Sequence, residues 1–162
     1  MLKRLTLAVV LVLSTTAKAD EGTLLLEQLV KHDPIEQKLL VFLKKHQVKK
    51  PEFYAKILAS HPMPVRKKKI MAAIIVPESR GDAKAVNRWS GAAGTWQVMP
   101  FWKKQLKIKG SLLDPVTNLH AASRVYDIHA KEVNFNERKT LIAYSGRTPG
   151  YADKVLALAS QI

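Results

Sequence analysis

Apolar residues in this chain recur three and four positions apart, and nowhere do they alternate singly with polar ones for long enough to build a strand. That spacing lays apolar side chains along one stripe of a helix, so the expected fold class is all-α. Prolines mark where the helices begin. Asp33-Pro34 supplies an N-cap and a first helical position, Pro51 opens a segment through Ser60, and Asp114-Pro115 precedes Val116, Leu119, Ala122, Val125 and Tyr126. From Val65 to Glu78, Ile70, Ala73 and Ile74 share a face, and Pro77 removes a backbone donor and bends the last turn. Gly81 to Gly94 reads as loop, with a further helix expected from near Gly94 to Pro100. Asn136 is placed to cap a helix through Tyr144, and Gly150 or Tyr151 to open the last one.

Residues 1–19 have the form of a signal peptide. Lys3 and Arg4 precede an apolar run from Leu5 to Leu13, and Ala17-Lys18-Ala19 is a small-x-small cleavage pattern. The run is short for a bilayer span, and no later segment is long and apolar enough for one. The expected organisation is therefore a signal peptide at 1–19, a short helical N-terminal region at 20–62 and a main domain at 63–162, around the linker His61-Pro62-Met63-Pro64. The expected location is outside the inner membrane, periplasmic or secreted, as a monomer.

A formal net charge of +14 directs attention to anionic partners. An exported protein meets a cell wall or membrane face before it meets a chromosome. Its basic residues are scattered apart from Lys67-Lys68-Lys69 and the Lys103–Lys109 stretch, with no interleaved aromatic platform, so nucleic acid is not the expected partner. Cysteine is absent, which removes disulfides, thiolate metal sites and a cysteine nucleophile. The five histidines form no His-Glu-x-x-His pattern, and His120 and His129 are nine apart, so neither a metal nor another cofactor is expected. No Gly-x-Ser-x-Gly elbow or phosphate loop is present.

The chemistry concentrates between Glu78 and Pro100. Glu78 closes an apolar helical stretch, where partial desolvation disfavours the carboxylate and raises its pKa, as a general acid near neutral pH requires. The segment Asn87-Arg88-Trp89-Ser90-Gly91-Ala92-Ala93-Gly94-Thr95-Trp96-Gln97-Val98-Met99-Pro100 gathers small residues in a turn, then an aromatic, an amide and a thioether. Glycines permit close backbone approach to a ligand. Tryptophan can stack on a sugar ring and glutamine can reach its hydroxyl or acetamido groups. Trp96 itself is expected in the core.

These residues resemble the lytic transglycosylases of the soluble-lytic (SLT) type, in the lysozyme-like superfamily. The likeness rests on Glu78-Ser79, on Ala85-Val86-Asn87 where Ala-Val-Ser is usual, and on Gly91 to Pro100. Asp114-Pro115 with Asn118 and Ala143-Tyr144-Ser145-Gly146 continue it, all in the family's order across about residues 65–158. The Ala-Ala-Gly-x-Trp-Gln form is similar to the membrane-bound D-type branch. The resemblance implies a lysozyme-like, mainly α fold acting on peptidoglycan glycan strands. It implies cleavage of the MurNAc–GlcNAc bond with a 1,6-anhydro end, and one catalytic acid, Glu78. By motif position Asn87, Gln97 and Met99 contact the glycan, and Tyr144 bonds near the acid. Three departures stand out: Asn87 replaces a serine, Ser145 replaces an asparagine, and the loop from Ala85 to Gly94 is one residue longer than usual. The alternatives are a goose-type-lysozyme-like hydrolase and a non-catalytic wall-binding protein on the same fold, with an envelope-spanning apparatus as a possible partner.

Overall fold

The computed structural model describes residues 33–162, and helices dominate them. The expected signal peptide, its cleavage point and the part of the N-terminal region before residue 33 lie outside the described residues. Prolines stand at the first position of three helices: α1 (Pro34–Lys45), α2 (Pro51–Ser60) and α4 (Pro100–Gln105). A fourth, α5 (Pro115–Glu132), follows Asp114, whose side chain accepts a hydrogen bond from the Thr117 N–H at 2.8 Å. Proline suits this place because the first-turn N–H has no helical partner to lose. Asn136 caps α6 (Glu137–Tyr144) through the Lys139 N–H at 2.9 Å, and Gly150 precedes α7 (Tyr151–Ala159).

The centre of the structure is α3 (Val65–Glu78). Ile70, Met71, Ala72, Ala73, Ile74 and Ile75 are all fully buried. Six consecutive buried residues mean a helix enclosed on every side, beyond the single buried face that spacing predicts. Helix α3 packs against α2 and α7, α5 against α4 and α6, and α6 against α7. From Ile35 to Ile162 the chain packs as one unit. Leu39, Phe42 and Leu43 of α1 and Tyr54, Ala55 and Leu58 of α2 join the same apolar core as Leu119, Leu141 and Val155. Among the described residues no helix is long and apolar enough to cross a membrane.

Part of the lysine run is committed to this packing. Lys67 Nζ donates to Asp127 Oδ1 at 2.6 Å and to the Ser123 carbonyl at 3.0 Å, and Lys68 Nζ donates to the Ala59 carbonyl.

The helix expected between Gly94 and Pro100 does not form. Ala93 and Val98 exchange both backbone hydrogen bonds at 3.0 Å, closing a tight bridged loop. Gly94 (φ +80°) and Gln97 (φ +47°) are left-handed, which a right-handed helix does not accept. Only glycine fits position 94: a Cβ there would sit 2.1 Å from the Leu112 carbonyl oxygen and 2.5 Å from Asn118 Nδ2. Helix α4 starts where this loop ends, at Pro100.

Candidate active site

Glu78 is the last residue of α3, and the chain turns away immediately after it. Pro77 has no N–H to offer the carbonyl of Ala73, so the helical ladder is already thinning. Both Ser79 N–H (3.1 Å) and Arg80 N–H (2.9 Å) then fold back onto the Ile75 carbonyl. Arg80 and Gly81 take positive φ. Ser79 Oγ donates to the Thr95 carbonyl at 2.8 Å and accepts from the Gly81 N–H at 3.1 Å, pinning the helix end to the bridged loop.

Beneath this junction lies a buried polar relay. Tyr54 Oη donates to the Gly81 carbonyl at 3.0 Å and is 2.7 Å from Thr95 Oγ1. A phenol has one proton, so the Thr95 hydroxyl is the donor in the second bond. The Trp96 indole packs edge-on to Tyr54, with centroids 5.8 Å apart, and donates to the Met71 carbonyl at 2.9 Å. Asn118 completes the frame: its Oδ1 accepts from the Trp96 N–H (2.8 Å) and its Nδ2 donates to the Ala93 carbonyl (2.9 Å). Trp96 is thus a core residue, as its sequence context predicts.

The chain neighbours of this frame, Glu78, Ala92, Gln97 and Val98, line a cleft of about 750 Å³. Glu78, Asn87, Gln97, Met99 and Tyr144, all proposed from the sequence, line it together with Ser90, Trp102, Ser145 and Tyr151. Their present bonds differ in kind. Gln97 Nε2 donates to the Gly94 (2.9 Å) and Ala85 (3.2 Å) carbonyls, so the amide nitrogen holds the loop. Asn87 Oδ1 accepts from Trp89 and Ser90 N–H groups and shapes a turn at the rim. Met99 is half-buried at the N-cap of α4. Ser145 Oγ donates to the Ile142 carbonyl (3.0 Å) and accepts from the Thr148 N–H (3.1 Å), so the serine organises its own turn.

The hydroxyl on Glu78 belongs to a residue that motif reading did not single out for the site. Tyr151 Oη donates to Glu78 Oε1 at 2.5 Å, while Tyr144 Oη donates to the Trp96 carbonyl at 3.0 Å. The available signal was the placement of Tyr151 as first residue of the last helix, just after Gly150. Burial pushes the Glu78 carboxyl above its ordinary value, and the Tyr151 hydrogen bond pulls less strongly the other way. Both phenols are pushed up as well, first by burial and then by the nearby Glu78 charge. Each therefore stays a neutral donor across the range where Glu78 titrates.

Among the described residues, Glu78 is the only carboxylate in the cleft walls. Asp82, four residues on, faces elsewhere. Lys49 Nζ bonds it at 2.8 Å, and that partner, with the Lys84 N–H, holds its carboxyl below the usual range. The remaining candidate ligand residues are dispersed. His129 Nδ1 meets Glu132 Oε2 at 2.9 Å, and His120 lies against His61 with ring centroids 6.4 Å apart. Among the described residues no three His, Asp or Glu side chains converge as a metal site would need.

A helical domain with one desolvated carboxyl at a helix end, in a cleft walled by an amide and aromatics, has the makings of a glycan-cleaving site. The family comparison agrees: residues 58–150, more than half of the chain, match the transglycosylase SLT domain, and the chain belongs to that family. A search of curated proteins found no match.

Proposed function

We propose that this protein is an exported peptidoglycan lytic transglycosylase that cleaves the MurNAc–GlcNAc β-1,4 bond and leaves a 1,6-anhydro-MurNAc end. The observation that carries the reading is Glu78, the one cleft carboxylate among the described residues, with its pKa raised by burial and Tyr151 bonded to it. A two-carboxylate glycosidase needs a second acid across the scissile bond. With one, the same carboxyl serves first as acid and then as base.

Protonated Glu78 gives its proton to the glycosidic oxygen. The C1–O bond breaks and its electron pair leaves on that oxygen. The substrate's own 2-acetamido carbonyl supports the positive charge at C1. The Glu78 carboxylate then takes the C6 hydroxyl proton as O6 bonds to C1 and closes the anhydro ring. No water is consumed, and Glu78 ends the cycle protonated, as it began. Tyr151 holds the carboxyl in place throughout.

Asn87, Gln97, Met99 and Tyr144 are the proposed glycan contacts, supported by their shared place in the cleft walls. The run Ala92-Ala93-Gly94-Thr95-Trp96-Gln97 supports a place near the D-type branch. We further propose cleavage after Ala19, action as a periplasmic or secreted monomer, and service beside an envelope-spanning apparatus.

The test is mass spectrometry of products from purified peptidoglycan incubated with residues 20–162 and with the Glu78→Gln variant. Anhydro-muropeptides from the wild type alone are expected. Reducing ends would make the protein a hydrolase, and retained wall binding without products would make it a binding protein.

A further inference from the structure

Trp89 is 98% exposed, so the whole indole face meets water. Its backbone is nevertheless fixed. Asn87 Oδ1 accepts from the N–H groups of Trp89 (2.9 Å) and Ser90 (3.0 Å). The Gly91 N–H donates to the Asn87 carbonyl and the Asn87 N–H to the Ala92 carbonyl, both at 2.8 Å. The turn also runs close to the start of α4: a Cβ on Gly91 would be 3.7 Å from Pro100 Cγ. Asn87 and Ser90, the residues either side of the Arg88-Trp89 pair, both line the cleft that holds Glu78. The turn therefore presents a bare aromatic ring between two residues of the cleft wall, on a backbone held by hydrogen bonds.

We infer that Trp89 is a sugar-stacking platform at an outer subsite, receiving the apolar face of a pyranose ring of the glycan strand beyond the bond at Glu78. This rests on the proposed glycan-cleaving function. A pyranose presents C–H groups of slight positive charge on one face, and the indole face is negative. A ring on a fixed turn loses little conformational freedom when the sugar docks. Trp89 would thus set how long a strand must be for tight binding, without touching the reacting atoms.

The experiment compares wild type with Trp89→Ala and Trp89→Phe in the full chain. Kinetics are read on glycan strands, and the Trp89 indole N–H resonance is followed during titration with short and long N-acetylglucosamine oligomers. Expected are a KM about tenfold higher for Trp89→Ala on long strands, an unchanged kcat, partial rescue by phenylalanine, and an indole shift from long oligomers only. Cleavage by the wild type with equal KM values for wild type and Trp89→Ala overturns the platform and leaves the proposed function standing. If the wild type cleaves nothing, the function falls and the indole titration decides the platform by itself: a shift supports it and none overturns it. An indole that shifts with anionic phospholipid vesicles and not with oligomers makes Trp89 a membrane contact, which also overturns it.

Discussion

Tyr151 and Glu78 join the first residue of α7 to the last residue of α3 by a 2.5 Å hydrogen bond. Burial raises the Glu78 pKa and this bond opposes the rise. Tyr151→Phe removes the opposing part, so the folded pKa of Glu78 climbs further. Because the acid must be protonated to act, the alkaline limb of the kcat/KM profile moves to higher pH. The looser carboxyl lowers the plateau roughly tenfold to hundredfold, the scale of one hydrogen bond to a charged group. A pH–rate profile identical to wild type would remove Tyr151 from the site.

Glu78→Gln abolishes turnover, by about a hundredfold or more for the loss of a general acid. Its effect on stability depends on pH. The folded pKa lies above the ordinary 4.5, so between the two values the folded state holds more protons than the unfolded one. Wild-type stability therefore falls as pH rises from about 4.5 through the folded value, then levels. Glutamine does not titrate. Melting curves should diverge in favour of Glu78→Gln as pH rises through that window, and curves that stay parallel count against a buried, raised carboxyl.

Gly94→Ala forces a methyl group into the Leu112 carbonyl at a positive φ. Something must move by more than an ångström, and the loop carrying Gln97 moves with it. Urea denaturation should record a loss of about 3 kcal/mol or more.

Asn118→Ala orphans a buried N–H on Trp96, at about 1–3 kcal/mol, and takes from the Ala93 carbonyl one of its two donors, leaving it the Val98 N–H. Arg138→Ala breaks a bidentate pair with Asp153, but both side chains are more than half exposed, so the loss is below about 1 kcal/mol. Measured side by side, the amide should outweigh the ion pair. The reverse order would mean that the frame around Trp96 is not what holds the cleft wall.

The starts of α1, α2, α5 and α6 were legible because each carries its own local chemistry: a proline without a donor to lose, or an Asp or Asn reaching forward to a free N–H. The desolvated setting of Glu78 was legible from its place at the end of an apolar run. The bridged form of the loop from Gly94 to Val98 is not legible locally, since Asn118, which holds it through Ala93 and Trp96, is far along the chain. The bond between Tyr151 and Glu78 was hidden for the same reason, as 73 residues separate them. Gln97 shows a third limit. Sequence places the amide near substrate, but only the fold reveals that its nitrogen is already engaged by two carbonyls.

The family match covers residues 58–150, yet two of the phenols that brace the surroundings of Glu78 lie just outside it. Tyr54 precedes its start and holds the turn after Glu78. Tyr151 follows its end by one position and bonds the carboxyl itself. A fragment cut at the recognised boundaries would keep the Glu78 carboxyl and discard two of its supports, along with the helices that enclose α3. The portable unit, for grafting this cleft onto another protein or for expressing it alone, therefore runs from α1 through α7.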